Sequence, residues 1–329
     1  MQETMFPMSH KLLSPKHVQP VVDEYITLTH RYLEERANQY NGLNITLKDF
    51  IVPLTFEASA HAFFGEACPV GDLLEPFKVY DNSFHLFLAG VPKVFMNGPV
   101  KALHRLATII DEGYLSKPEA LDDASDMIKA YDRITRDDGF VSHPRPKVRS
   151  VLTALPRQGT REAAPLVITF LWALMANAPL AAYWIIALNL QRQDGLKPFV
   201  AEVDKAVANW NATNPTLPLD SPQRIVDFIN QADFPLLNST IQETLRFTTS
   251  TMSIRAVKER ADLGGFTFHR GEEIVCMSRM VHLDPEIHER PDEYIPTRYM
   301  TETKFTKDGK PVMNHTIPFG GGVSMCEGR

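Results

Sequence analysis

Through most of this chain apolar residues recur every three or four positions, the period of a helix rather than of a strand. Between residues 20 and 38, Val21, Val22, Tyr25, Ile26, Leu28 and Leu33 stand among charged residues and form an amphipathic stripe. Residues 47–64 read as a second helix that ends at Gly65. Residues 72–95 are largely apolar and rich in rings, with Phe77, Tyr80, Phe84, Phe87 and Phe95. Further helices are expected over 99–115, 124–136, 160–190, 196–210, 221–231 and 234–247. The turn residues Asp137-Asp138-Gly139 and Pro144-Arg145-Pro146 predict a loop over 137–147. Strand-like segments come only late, at 251–257, 266–268 and 273–277, set apart by Gly264-Gly265 and His269-Arg270-Gly271. The fold class implied is mainly α with small β-sheets.

The 160–190 segment holds the longest apolar run. Trp172, Asn177 and Asn189 spread polarity along it, which favours a core helix over a membrane span. Pro179 has no N–H to donate, and its ring opposes the carbonyl four residues back, at Met175, so a kink is expected there. The chain, 329 residues with 44% hydrophobic and 22% charged, has the makeup of a folded globular protein. A net charge of −6 offers nucleic acid no general basic field. Cys68, Cys276 and Cys326 are widely separated and odd in number, without a disulfide framework or zinc spacing, which suits a reducing compartment. Residues 1–20 carry Gln2, Glu3, His10, Lys11, Lys16 and His17, so neither a signal peptide nor a membrane span is expected there.

The chemistry gathers at 319–329, Phe319-Gly320-Gly321-Gly322-Val323-Ser324-Met325-Cys326-Glu327-Gly328-Arg329. One cysteine has Gly322 four residues before it, Gly328 two after it and Phe319 seven before it. A thiolate can serve as an axial ligand of haem iron, pushing electron density onto the metal to favour O–O cleavage. Such a ligand needs close approach, backbone N–H groups near the sulfur and shielding from water. Gly322 and Gly328 permit the approach, and Phe319 would be the shield. The plainer reading is a glycine-rich turn holding a buried, inert cysteine. A phosphate cradle is disfavoured, because neither Lys-Ser/Thr nor G-x-G-x-x-G spacing is present.

This stretch resembles the Phe-x-x-Gly-x-x-x-Cys-x-Gly signature of the cytochrome P-450 superfamily. Two more motifs stand in the same order as in that family. One is Glu243-x-x-Arg246, and the other, Pro291-Asp292-Glu293-Tyr294-Ile295-Pro296-Thr297-Arg298, resembles Pro-x-x-Phe/Tyr-x-Pro-x-Arg. Spacing alone makes Glu243 and Arg246 a helix-surface pair contributing a few tenths of a kcal/mol. The resemblance implies instead that Glu243, Arg246 and Arg298 form one buried network beneath a haem, in a structural role. It also implies Cys326 as the proximal thiolate ligand of haem b, in a loop shaped by Phe319, Gly322 and Gly328. Arg255 would bind a haem propionate, its other reading being an exposed strand arginine. His10 and Lys11 stand where the family has a further propionate-binding base. The 160–190 helix would cross the distal face under a roof made by 72–95. His282 and His288, which flank Asp284-Pro285, read as surface or packing residues rather than metal ligands.

The chain departs from the family pattern in several places. Ser324 stands two residues before the cysteine, where Arg or His is usual and contacts a propionate. The central helix lacks the usual acid–alcohol pair and carries Trp172-Ala173-Leu174-Met175-Ala176-Asn177-Ala178-Pro179. That run resembles the branch holding sterol 7α-hydroxylases and prostacyclin synthase, where Asn takes the alcohol's place, although here the proline comes one position early. Asn177 is therefore the distal oxygen-site candidate, with a buried helix asparagine as the alternative. Family members also carry an anchor, early helices and strands, and a final proximal helix outside this span. An incomplete single domain over 1–329 is thus expected, with its key elements at 160–190, 234–247, 291–298 and 319–329.

The activity implied by the resemblance is haem-thiolate monooxygenation of an apolar small molecule: a steroid, terpenoid or other specialised metabolite. Dioxygen would be the oxidant, and an NADPH-cytochrome P-450 reductase type of partner would donate electrons. Two alternatives stand beside it: an isomerase or dehydratase acting on a peroxide without a reductase, and an inactive remnant. Family members sit mostly on the cytosolic face of the endoplasmic reticulum membrane, and without an anchor this chain is expected to be cytosolic or peripheral.

Overall fold

The computed structural model describes residues 8–136, 163–301, 305–322 and 325–326, in which helices predominate and strands are short. The loop expected over 137–147 and the first residues of the 160–190 helix lie outside them. In chain order the helices are α1 (Pro15–Gln39), α2 (Leu47–Phe64), α3 (Val70–Asn82), α4 (Phe84–Leu88), α5 (Asn97–Ile110), α6 (Asp126–Arg136) and α7 (Ala163–Met175). They continue as α8 (Ala178–Leu190), α9 (Lys197–Thr213), α10 (Pro222–Gln231), α11 (Pro235–Thr248) and α12 (Ser278–His282). The strands are β1 (Met252–Ala256), β2 (Ala261–Leu263), β3 (Phe266–Phe268), β4 (Glu273–Met277), β5 (Thr306–Lys307) and β6 (Lys310–Pro311). Two compact units form, Met1–Tyr183 with Thr216–Gln231, and Trp184–Pro215 with Ala232–Arg329.

The first unit holds the hydrophobic core. Helix α2 begins because Thr46 Oγ1 accepts the Asp49 N–H at 3.1 Å, and it ends at Gly65, where φ is 81°. A Cβ at Gly65 would stand 2.1 Å from Asp123 Oδ1, so the position is closed to any other residue. Helix α5 buries Leu103, Leu106, Ala107 and Ile110, the i, i+3, i+4, i+7 stripe of an amphipathic helix. These pack with Phe56 and Phe64 of α2 and with Val167, Ile168 and Leu171 of α7. Each of the leucine, isoleucine, valine and phenylalanine side chains contributes roughly 1.5–3 kcal/mol by leaving water. Phe77, Tyr80 and Phe87 of the ring-rich segment join this core, and Phe84 stacks on Trp172 with centroids 3.9 Å apart. Val94 and Phe95, by contrast, are exposed.

The 160–190 segment is two helices rather than one kinked helix. The Ala176 N–H still bonds the Trp172 carbonyl at 2.9 Å, and the Ala181 N–H takes up the pattern from Asn177 at 2.9 Å. Residues 176–177 form a turn between α7 and α8. Pro179 is thus the second residue of a new helix, where its missing N–H would lack a helical partner anyway. Ala164–Leu190 is long and apolar enough to cross a membrane, but its α7 part is buried in the first unit's core.

The second unit is held together differently. Pro235 opens α11, and the Glu202 carboxylate of α9 accepts the Leu236 and Leu237 N–H groups at 2.6 and 3.0 Å. Strands β1 and β4 pair antiparallel, with Ile254 opposite Val275 and Met252 opposite Met277. Gly264-Gly265 turns β2 into β3, and Asp308-Gly309 turns β5 into β6, all four residues at positive φ. Among the described residues after 231, the buried side chains are polar apart from Pro296: Ser239, Thr240, Glu243, Thr244, Arg246, Ser278, His282 and His288. Apolar Met252, Ile254, Val275 and Met277 lie exposed on one face of the β1–β4 pair. Polar contacts, not oil, organise this part of the molecule.

Candidate functional site

The centre of that polar interior is one stripe of α11. Ser239, Glu243 and Arg246 are spaced i, i+4, i+7 and all are buried. Glu243 Oε2 accepts from Arg246 Nε at 2.8 Å and from Arg298 Nε at 2.9 Å, while Oε1 accepts from Arg246 Nη2 at 2.9 Å and the Ile295 N–H at 2.8 Å. Arg246 spends its remaining donors on the carbonyls of His282, Pro291 and Glu293, so all five of its N–H groups are bonded. Arg298 donates further to the carbonyls of Glu289, Arg290 and Glu293. Ser239 Oγ donates to the Pro296 carbonyl at 2.6 Å and accepts the Tyr299 N–H at 2.9 Å. Glu243, Arg246 and Arg298 therefore meet, and together they fasten residues 289–299, which have almost no backbone ladder of their own.

Tyr294 adds a second stripe. Its hydroxyl accepts from Asn189 Nδ2 at 3.1 Å and bonds Thr244 Oγ1 at 2.9 Å. Burial pushes the Tyr294 hydroxyl pKa upward.

His282 and His288 are both fully buried, so of the two readings packing holds and surface does not. Their ring partners are backbone groups of the segment entering the cysteine loop. The Ile317 N–H donates to His282 Nε2 at 2.9 Å, and His288 Nε2 lies 2.9 Å from the His315 carbonyl. Desolvation lowers the pKa of His282, of His315 and of His288, the last to about 4. His315 stacks on Phe305 with centroids 3.7 Å apart, and Tyr299 packs against both rings at 5.8 and 5.7 Å. Sequence reasoning missed this cluster; a histidine beside an Asp-Pro turn carries no periodic sign of burial.

From Ile317 the chain turns sharply. The Gly320 N–H bonds the Ile317 carbonyl at 3.1 Å, and Gly320 and Gly322 take φ of 74° and 70°. The Cys326 N–H returns to the Phe319 carbonyl at 2.9 Å and closes the loop. Cys326 is exposed, which removes the buried, inert reading, and Phe319 is half-buried. Among the described residues, a Cβ added at Gly320, Gly321 or Gly322 would meet no atom within 4 Å, so they leave this face of the loop open. An exposed thiol on an open glycine turn suits a flat macrocycle with a sulfur-bound metal. Ser324, Gly328 and Arg329 lie outside the described residues.

The other expected residues are placed as follows. Arg255 is exposed on β1, where it pairs with Ile274 and donates to the Ile254 carbonyl. Asn177 is exposed in the turn between α7 and α8, not buried as an ordinary helix asparagine. His10 and Lys11 are exposed in the first described helical turn of the first unit.

Comparison with known proteins identifies the family and the fold. The sequence profile of the family Cytochrome P450 matches residues 7–329, and the chain belongs to the cytochrome P450 family. Cytochrome P450 7A1 of Oryctolagus cuniculus is 27% identical over 326 residues, covering 93% of this chain and 60% of that protein. The Sus scrofa cytochrome P450 7A1 is 26% identical, covering 85% of this chain and 54% of its own length. Prostacyclin synthase of Rattus norvegicus is 30% identical over 196 residues, 55% of this chain and 38% of the synthase. The chain thus spans between half and three fifths of the P450 7A1 relatives. Two solved structures share its fold. The retinoic-acid-bound cyanobacterial CYP120A1 has a TM-score of 0.59 at 16% identity, covering 98% of this chain and 66% of that one. The cytochrome P450DA heme domain has 0.57 at 15%, covering 97% and 65%.

Proposed function

We propose that this chain carries the haem-binding elements of a haem-thiolate monooxygenase acting on an apolar small molecule. The observation that carries the reading is the closed loop at Cys326, whose backbone is tied to Phe319 while its thiol stays exposed on an open glycine turn. Cys326 would hold the iron of haem b, with Phe319 shielding the sulfur and Arg255 pairing with a propionate. Asn177, at the break between α7 and α8, is the candidate for holding a proton or water near the distal side. Haem held there would supply dioxygen activation, one oxygen atom entering a C–H bond while two electrons from a donor and two protons take the other to water. The donor would be a reductase of the NADPH-cytochrome P-450 type, at the cytosolic face of a membrane. The relatives' names, among them cholesterol 7-alpha-monooxygenase and 25-hydroxycholesterol 7-alpha-hydroxylase, support a sterol-sized substrate.

The test is reconstitution with haem, reduction and addition of CO. The red-shifted Soret band of a ferrous–CO thiolate complex is expected in the unaltered chain and absent in Cys326→Ser. Survival of the band in the serine variant would overturn the ligand assignment. A second reading, rearrangement of a peroxide without a reductase, is favoured by the similarity to prostacyclin synthase. Turnover with peroxide alone, compared with turnover with reductase and dioxygen, separates the two.

A further inference from the structure

We propose that His282 is a positioning residue that seats the entrance to the cysteine loop only as a neutral imidazole, so that acid unseats the loop. The partners fix the chemistry. A backbone N–H can only donate, so Ile317, 2.9 Å away, requires a lone pair on His282 Nε2 and therefore the Nδ1–H tautomer. A carbonyl can only accept, so the His315 oxygen, 2.9 Å from His288 Nε2, requires a proton there. The two buried rings thus hold one short segment, residues 315–317, in opposite tautomers. A proton added to His282 lands on Nε2 and turns its acceptor into a donor facing Ile317. A proton added to His288 goes to Nδ1, which has no partner, and leaves its bond to His315 in place. Of the two, only His282 is a switch.

Its surroundings favour the neutral form. The charges facing His282 are Arg246 of α11 and Arg279 of its own helix, both cationic, and the Thr249 carbonyl lies near the ring without a well-formed bond to Nδ1. Facing His288 are Arg246, Arg298 and His315, with Asp284 and its partner Lys307 at the rim. The His282 carbonyl meanwhile accepts from Arg246 Nη1 at 2.7 Å, so one residue joins the α11 network through its backbone and the loop through its ring. From Ile317 the next bond runs to Gly320, and from Phe319 to Cys326. The consequence for haem rests on the function proposed above; the clamp itself does not.

The experiment is amide exchange at Ile317, corrected for the intrinsic pH dependence, in the unaltered chain and in His282→Gln, whose amide oxygen accepts without titrating. With an ordinary histidine pKa of 6.5 in the released state, protection in the unaltered chain should fall by up to about twenty-five-fold between pH 7 and pH 5. The glutamine variant should keep most of its protection over that range, and His282→Leu should lack it throughout. Equal pH dependence in the unaltered and glutamine chains would overturn the proposal. Should His282→Gln fail to fold, long-range proton–nitrogen NMR of the unaltered chain decides instead: Nδ1–H at His282 with Nε2–H at His288 is expected, and the same tautomer at both refutes it. The Soret band is followed in parallel. No band with a working clamp sinks only the haem reading, and an intact band with no clamp sinks only this one.

Discussion

Replacing Glu243 by Gln is the sharpest probe of what holds the second unit together. The amide keeps the shape of the side chain and one of its two oxygens. That oxygen can still take Arg246 Nη2 and the Ile295 N–H, but the new NH2 group then faces Arg246 Nε and Arg298 Nε, two donors 2.8 and 2.9 Å away. Two charge-assisted bonds are lost, at about 1.5–3 kcal/mol each. Both guanidinium groups also lose the Glu243 carboxylate, and breaking buried pairs of this kind costs about 3–5 kcal/mol. Both routes give roughly 4 kcal/mol, a large share of the 5–15 kcal/mol that typically separates folded from unfolded domains. Urea unfolding with a slope of about 2 kcal/mol/M should show the midpoint falling by about 2 M. Exchange of the Tyr299 amide, bonded to Ser239, reports the same event locally. Arg290→Gln is the control: it removes an exposed pair with Glu293 at 2.9 Å and should cost less than about 1 kcal/mol. A Glu243→Gln loss as small as that of the control would refute the reasoning.

Tyr294→Phe removes the hydroxyl shared by Asn189 and Thr244 and should cost about 1–2 kcal/mol in denaturant unfolding; no loss would mean water replaces it. His288, held neutral by burial with its pKa near 4, contributes stability that is present above the unfolded value of 6.5 and is lost as pH falls from 6.5 towards 4. The loss reaches about 3 kcal/mol, so His288→Gln should flatten the stability-versus-pH curve across that window, and an unchanged slope would exclude the ring. Arg255→Gln should leave unfolding within about 0.5 kcal/mol of the parent because the side chain is exposed, while lowering affinity for added haem; equal haem affinity would remove Arg255 from the site.

Local chemistry made several elements legible. Gly65 ends α2 in the sequence as it does in the structure, because a positive-φ terminator acts on its immediate neighbours. Helix α1 starts at Pro15, ahead of the stripe expected from residue 20, with Pro15 in its first turn and Pro20 inside it. Asp308-Gly309 turns a hairpin whose strands are two residues long, too short to show strand periodicity. Pro179 predicts a kink in one helix where the structure has two helices, because proline marks a boundary without saying whether it bends one helix or opens another. The histidines at 282 and 288 read equally as surface or packing, because the backbone groups that partner them come from residues 315–317.

The α11 stripe shows why the site was readable only as a motif. Periodicity assigns a polar stripe to solvent, and Ser239, Glu243 and Arg246 would be placed outside by that rule. They are inside because the chain from Leu283 to Met300 is irregular, and irregular backbone cannot be buried until its own N–H and C=O groups find partners. Side chains must then do what a sheet would do. The carbonyls of His282, Glu289, Arg290, Pro291 and Glu293 all end on two guanidinium groups, and Glu243 both neutralises one of those charges and takes the Ile295 N–H. Lysine could not substitute at 246, since three donors cannot serve five acceptors held in fixed directions. The charges are therefore retained for their hydrogen-bond geometry, and the same irregular stretch, so fastened, leads into the loop that carries Cys326.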